Sequence, residues 1–247
     1  MIKSSFDLEN KLLADGYKFI IGIDEAGRGP LAGPVVASAV CLRNPHLSAE
    51  ADIFSLNRER NILRWTLVRD SKTLSHKQRE NLFDFIHEHF YVGVGICDHK
   101  TIDRINILEA TFLAMKKAVA ELNRIMNYEL GIMGKKSMIH NSKFLILIDG
   151  NKKIPNLSLE QKAIVNGDKY VKSISAASII AKVTRDRIML EMHAKYPEYN
   201  FARHKGYGTK MHFAMLEKNG PCKIHRRSFA PVKALIKKSV VQKSNLW

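Results

Sequence analysis

Cysteine is scarce in this 247-residue chain, and the little there is lies scattered: Cys41, Cys97 and Cys222 are odd in number and form no CxxC pair. That pattern argues against a disulfide framework or a zinc cage and for a reducing compartment, so a cytoplasmic location is expected. Long apolar runs are missing as well. No stretch approaches the roughly 20 residues of a membrane span. The opening segment carries Lys3, Asp7, Glu9, Lys11 and Asp15, unlike a signal peptide or an anchor. There is no Pro- or Ser-rich linker and no internal repeat, and the length suits one large domain, or one domain with a small appendage. Negative charge is in deficit: 24 Asp and Glu stand against 40 Lys and Arg, a formal net charge of +16. Such an excess suits a phosphate backbone, although a merely solvated basic surface has the same composition.

Two nucleotide-binding signatures are also absent. The segment GRGPLAG (27–33) follows an apolar run, but its spacing is GxGxxxG, and Pro30 and Pro34 fall where a dinucleotide-binding helix would open. It lacks the terminal Gly-Lys-Ser/Thr of a phosphate-gripping P-loop, and no GxSxG elbow occurs anywhere.

What is present alternates. KFIIGID (18–24), PVVASAVCL (34–42), YVGVGI (91–96) and FLILID (144–149) read as strands. His76 to His89 reads as a helix, and so does a longer segment from Ile105 to Met126. In that one Leu108, Phe112, Met115, Val119, Leu122 and Met126 step by 4, 3, 4, 3, 4, the period of one buried stripe. A third helix is expected from Ser175 to Lys195, stopped by Pro197. This alternation implies an α/β sheet with helices packed on it. Residues 43–64 and 127–143 look like surface insertions. The basic tail after Pro231 is expected to be a short helix followed by disorder.

Four acids stand at strand ends or a helix start. Asp24 and Glu25 end the first strand, where glycines 27 and 29 allow the bend that brings adjacent carboxylates to one site. A divalent cation would remove their repulsion, and hard oxygen donors suit magnesium or manganese. Alone, the pair reads better as a turn cap beside a solvated acid. Asp149 ends FLILID and lies beside Asp24 if the two strands are neighbours, at the edge where open α/β sheets place their sites. Asp168 follows nineteen residues later and alone would be a helix cap. Together, in a basic chain, the four suit a two-metal site for phosphoryl transfer. On the third helix Ser175, Ser178, Lys182 and Arg185 share a side, which suits phosphate contacts or a solvated face equally. Ser71 could bond a phosphate, or Thr73 or Ser75 could simply cap the next helix. Tyr207, among cations in HKGYGT (204–209), could stack on a sugar or base, or pack on the domain edge.

Taken together, GIDEAGRGPLAGPVVASAV (22–40), DSKTLS (70–75), IDRINILEATFLAM (102–115), LIDGN (147–151), NGDKYVKSISAASIIAKVTRDRIM (166–189), HKGYGT (204–209) and HRRSFAPVK (225–233) closely resemble the ribonuclease HII family, the type 2 ribonucleases H. The resemblance implies a ribonuclease H-like fold with a mixed five-stranded sheet flanked by helices. It also implies a catalytic domain over 1–200 and a helical C-terminal part with a basic tail over 201–247. The implied activity is cleavage of the RNA strand of RNA-DNA hybrids, and 5′ of ribonucleotides embedded in duplex DNA, leaving 3′-hydroxyl and 5′-phosphate ends. The family's catalytic and metal-binding acids fall on Asp24, Glu25, Asp149 and Asp168, with Mn2+ or Mg2+ as cofactor. Its junction-sensing loop falls on Gly27, Arg28 and Gly29, and its stacking tyrosine on Tyr207. Ser71, Lys72, Ser178, Lys182 and Arg185 join these as candidate substrate contacts. Asp186 is expected on the helix surface, paired with Arg185 or Arg187. The fourth acid, Asp168, and the short N-terminal segment favour type HII over type HIII, which has an extra N-terminal domain. A monomer is expected, with no membrane partner. A catalytically silent nucleic-acid binder and a small-molecule phosphatase are the competing readings; the four acids weigh against the first and the +16 charge against the second.

Overall fold

A computed structural model describes residues 4–44, 64–130 and 143–244, with side chains up to 237. Most of the two expected insertions lies outside these residues. The elements run α1 (Asp7–Ala14), β1 (Phe19–Ala26), β2 (Val35–Leu42), α2 (His76–His89), β3 (Phe90–Cys97), α3 (His99–Glu129), β4 (Phe144–Asp149), β5 (Glu160–Ile164), α4 (Gly167–Tyr170), α5 (Lys172–Lys195), α6 (Phe201–His204), α7 (Lys210–Asn219) and α8 (Ala230–Ser244).

The expected mixed five-stranded sheet is present, in the order β3-β2-β1-β4-β5. The strands β1, β2 and β3 form an antiparallel meander, whereas β4 lies parallel to β1 with Ile23 opposite Ile148. That register sets Asp24 and Asp149 side by side where the two strands end. The apolar residues of β1 and β2 are buried on both faces of the sheet, which is why they read as continuous runs rather than alternations. One face packs on α3 through Met115, Val119, Leu122 and Met126. The other packs on α2 and α5 through Phe85, Ile86, Ile179 and Ile180. Burying each such side chain contributes about 1.5–3 kcal/mol.

Three boundaries differ from expectation. The helix expected from Ile105 begins at His99, capped by Asp98, whose carboxylate accepts from Thr101 N–H at 2.8 Å. It kinks at Asn106, where φ is 66°, and Asn106 Oδ1 restarts it by accepting from Leu108 N–H. The helix expected from Ser175 begins a turn earlier, at Lys172, and its first half is buried on all sides. Asp168 lies inside the one-turn α4 and does not cap it.

Gly22 explains how closely α5 crosses the sheet. A Cβ there would lie 2.2 Å from the Ser173 carbonyl carbon, so only glycine lets the helix start pass directly over β1, two residues before Asp24. Beyond α5, the C-terminal helices gather around Leu31, Ala32, Met189, Phe201 and Leu216.

Candidate metal and nucleic-acid site

The ends of β1 and β4, the short α4 and the turn before α2 meet at one corner. Carboxylate oxygens of Asp24, Asp149 and Asp168 lie within 4.8 Å of one another. Asp149 Oδ1 accepts from Asp168 N–H at 3.3 Å, which locks β4 to α4. Asp24 Oδ1 accepts from Glu25 N–H at 2.7 Å. Glu25 stands beside this trio rather than within it, held by Arg28 at 3.1 Å.

The site is electrostatically strained. Burial pushes the Asp24 carboxyl well above its ordinary range, and the charges of Glu25 and Asp149 push it further. Burial and then Asp168 raise Asp149 in the same way. Burial also raises Glu25, against the pull of Arg28. Three close carboxylates with only oxygen donors fit a hard divalent cation and little else. The cation they have in this structure is Lys72, whose exposed ammonium donates to buried Asp168 Oδ2 at 3.1 Å. Burial alone would lower Lys72, but its bond to Asp168 and the charges of Asp168, Asp70 and Asp24 together hold it above its usual value.

The other predicted residues separate into two groups. Arg28, Gly29, Lys72 and Tyr207 line an accessible surface around the acids, with Gly27 buried behind it: the Arg28 side chain is 53% exposed, and a side chain at position 29 would begin 3.9 Å from the Tyr207 ring. Gly27 adopts φ +102°, and a Cβ there would meet Arg185 Nε at 2.2 Å. Ser71 and Ser178 lie beneath, buried and bonded to each other through their hydroxyls at 2.8 Å. Ser178 also helps hold Asp24, its hydroxyl opposing that carboxyl's upward shift. Lys182 is largely covered and donates to Asp186 at 2.6 Å.

Two expectations are corrected. Arg185 is 1% exposed, and its guanidinium donates to the carbonyls of Pro34, Ala32 and Lys205, so it cannot reach a phosphate from where it sits. Asp186 is buried, not on the helix surface, and its partners are Lys182 and Arg79 in place of either neighbouring arginine. Ser75 caps α2 in a capping box with Gln78, which leaves Thr73 bonded to the Asp70 carbonyl. One residue escaped sequence reasoning altogether: Arg226, fully buried beneath the glycine-rich loop. Its place in HRRSFAPVK was visible but carried no signal of what it binds.

The ribonuclease HII family matches residues 21–232. A ribonuclease HII of Caldicellulosiruptor bescii is 47% identical over 225 residues, covering 91% of this chain and 92% of that protein. One from Endomicrobium trichonymphae is 44% identical over 237 residues, covering 96% and 97%. Among solved structures, the ribonuclease H2 of Pyrococcus horikoshii OT3 superposes with a TM-score of 0.60 at 26% identity, covering 89% of this chain and 98% of that one. A ribonuclease HIII solved in complex with Mn2+ reaches a TM-score of 0.60 at 17% identity, covering 90% and 70%, a likeness of fold.

Proposed function

The chain belongs to the ribonuclease HII family, and from that premise we propose that it is an endonuclease that cuts the RNA strand of RNA-DNA hybrids and the 5′ side of ribonucleotides embedded in duplex DNA. The carrying observation is the meeting of three buried or half-buried carboxylates, Asp24, Asp149 and Asp168, within 4.8 Å at the edge of a +16 protein. Acids kept together on a surface that attracts polyanions suit divalent ions held against phosphate.

In this reading Asp24, Asp149 and Asp168 hold Mg2+ or Mn2+, and Glu25 joins them when Arg28 turns from it to substrate. When bound, two such ions would lower the pKa of an attacking water and offset charge on the leaving 3′-oxygen, chemistry that would leave 3′-hydroxyl and 5′-phosphate ends. The chain's own residues do the rest. The Ser71–Ser178 pair fixes the floor under Asp24. Lys72, whose exposed ammonium holds Asp168 here, would be free to pair with a phosphate once a cation neutralised that carboxylate. The backbone of Gly27, Arg28 and Gly29 approaches the 2′-hydroxyl, the group that separates RNA from DNA, with no side chain at 29 to obstruct it. Tyr207 stacks on the neighbouring sugar, and a stacked aromatic is worth roughly 1–3 kcal/mol per nucleotide. The partners are thus an RNA-DNA hybrid and a ribonucleotide-containing duplex. No helix among the described residues is long and apolar enough to cross a membrane.

The test is Asp149→Asn. The variant is expected to bind a duplex with one embedded ribonucleotide about as well as the parent, yet to lose cleavage by several orders of magnitude in Mg2+ or Mn2+. The parent is expected to leave an all-DNA duplex intact and to yield 3′-hydroxyl ends, read by polymerase extension of the product. Parental turnover by the variant in saturating Mn2+ would remove Asp149 from the metal site.

A further inference from the structure

Two guanidinium groups lie under the glycine-rich loop without a carboxylate of their own. Arg226 and Arg185 are 0% and 1% exposed. Among the described residues neither forms an ion pair; Asp103 and Asp186 reach them only through the field. Their donors go to backbone instead. Arg226 Nη2 donates to Gly27 O at 2.6 Å and Pro34 O at 3.1 Å, Nη1 to Arg28 O at 3.0 Å and Nε to Gly33 O at 3.0 Å. Arg185 Nε donates to Pro34 O at 3.0 Å, Nη2 to Ala32 O at 3.1 Å and Nη1 to Lys205 O at 3.0 Å. The loop is thereby stitched from both ends, and Arg185 carries the stitching across to the turn that bears Tyr207. Backbone bonds join the same pieces: Leu31 N–H to Gly206 O at 2.8 Å, Arg226 N–H to Leu31 O at 2.8 Å and Gly33 N–H to Ile224 O at 2.9 Å.

Stability alone is a weak reason for this arrangement. A buried cation is costly unless its donors are satisfied, and an apolar side chain of similar volume often serves a core as well or better. What only a guanidinium provides is a planar fork of five donors that fixes several acceptors at set angles. With the carbonyls of Gly27 and Arg28 drawn inward, no described residue accepts a hydrogen bond from the N–H of Arg28 or Gly29. Those amides stay available beside Tyr207, over a floor of two positive charges.

We propose that Arg226, together with Arg185, is a positioning residue for ribonucleotide recognition: the pair locks loop 27–34 and turn 205–207 into one unit, so that the loop backbone and the Tyr207 ring meet the junction sugar in a fixed relation. The role rests on the functional reading above. It predicts that Arg226 sets selectivity for a single ribonucleotide more than it sets hydrolysis, because a long hybrid offers many registers and a lone ribonucleotide only one.

The experiment compares Arg226→Lys and Arg226→Gln with the parent on a duplex holding one ribonucleotide and on a continuous RNA-DNA hybrid, at fixed salt and Mn2+. Melting and calorimetric Mn2+ titration report fold and metal site. Both variants are expected to bind Mn2+ as the parent does. Misplacement of a contact by about 1 Å can cost on the order of a hundredfold, and a loss of that size is expected in kcat/KM on the single-ribonucleotide duplex, with a much smaller loss on the hybrid. Arg226→Lys keeps the charge but not the fork, so it should recover little of that selectivity. A parallel loss on both substrates, an unchanged ratio, or failure of both variants to fold would each overturn the positioning role. Failure of the parent itself to cut either duplex would instead overturn the functional reading.

Discussion

At the end of β1 a carboxylate at position 24 is 5% exposed and faces two further acids, so its ionised form is opposed first by burial and then by Glu25 and Asp149. A carboxyl whose folded pKa lies above its unfolded value contributes stability that is complete below the unfolded value, near 3.8, and is lost as pH rises through the folded one. As pH rises from 4 toward neutrality the metal-free protein therefore carries a growing penalty for this carboxyl. Asp24→Asn keeps the shape and removes the charge. It is expected to stabilise the metal-free protein by at least about 1 kcal/mol, roughly 2–4 °C in melting for a chain this size, while abolishing cleavage. The gain should fade as pH is lowered toward 4, and Mg2+ should raise the melting point of the parent more than that of the variant. A variant that melts lower than the parent at pH 7.5 would show that the carboxylate is satisfied without a cation. The meeting of Asp24, Asp149 and Asp168 was legible only from the set, because each alone at a strand end or helix start reads as a cap, whereas several such acids in a basic chain do not. Arg185 and Asp186 were misplaced for another reason: spacing tells which helix face a residue shares, but not whether that face is covered. Arg226 was illegible because its acceptors are carbonyls 192 to 199 residues away, and a carbonyl has no letter in a sequence.

Among the elements, four strands could be read from β-branched runs, but β5 could not, since Glu160 to Ile164 is half-exposed and mostly polar; it is a strand because β4 offers it a parallel edge. The period of α3 was legible from Leu108 onward and its kink was not, because the stripe begins only after Asn106. The C-terminal helices contain a device that no motif announces. His225 Nδ1 accepts from Cys222 N–H at 2.9 Å, so its proton sits on Nε2 and points at His212 Nε2, 3.0 Å away. His212 must then carry its proton on Nδ1, which donates to Tyr207 O at 2.9 Å. Each ring is neutral by necessity, for an added proton would set one N–H against another. Burial lowers His212 to about 4, and burial with the neighbouring His212 lowers His225 to about 3. A histidine with a depressed folded pKa contributes stability that is complete above the unfolded value of 6.5 and is lost as pH falls through the folded one. The melting-point advantage of the parent over His212→Asn should therefore shrink steadily from pH 7 to pH 4. A constant advantage across that range would show that the chain of rings protonates as freely folded as unfolded.

On the scale of the whole molecule, the +16 charge raises the concentration of any duplex near the surface, but only cations that touch phosphate enter the salt dependence of binding. Contact with Z phosphates gives a slope of roughly −0.9Z in log K against log salt. The structure separates cations that can make such contacts from those that cannot. Lys72 and Arg28 stand at the rim of the acid cluster with 75% and 53% of their side chains exposed. Arg185 is sealed beneath the loop with its donors on carbonyls. In an Asp149→Asn background, which prevents cleavage, Lys72→Ala and Arg28→Ala should each make the slope shallower by about one unit on a duplex with one ribonucleotide. Arg185→Lys should leave the slope unchanged even if it weakens binding, because what it disturbs is the setting of the loop and not the number of ions released. Anisotropy titrations from 50 to about 300 mM salt span enough of the electrostatic term to resolve a single contact. If Arg185→Lys flattened the slope as much as Lys72→Ala, the guanidinium would have to reach phosphate in the complex, and the loop would have to open to let it out. Equal slopes in all four proteins would mean that the charge acts through diffuse attraction alone, with no phosphate held by Lys72 or Arg28.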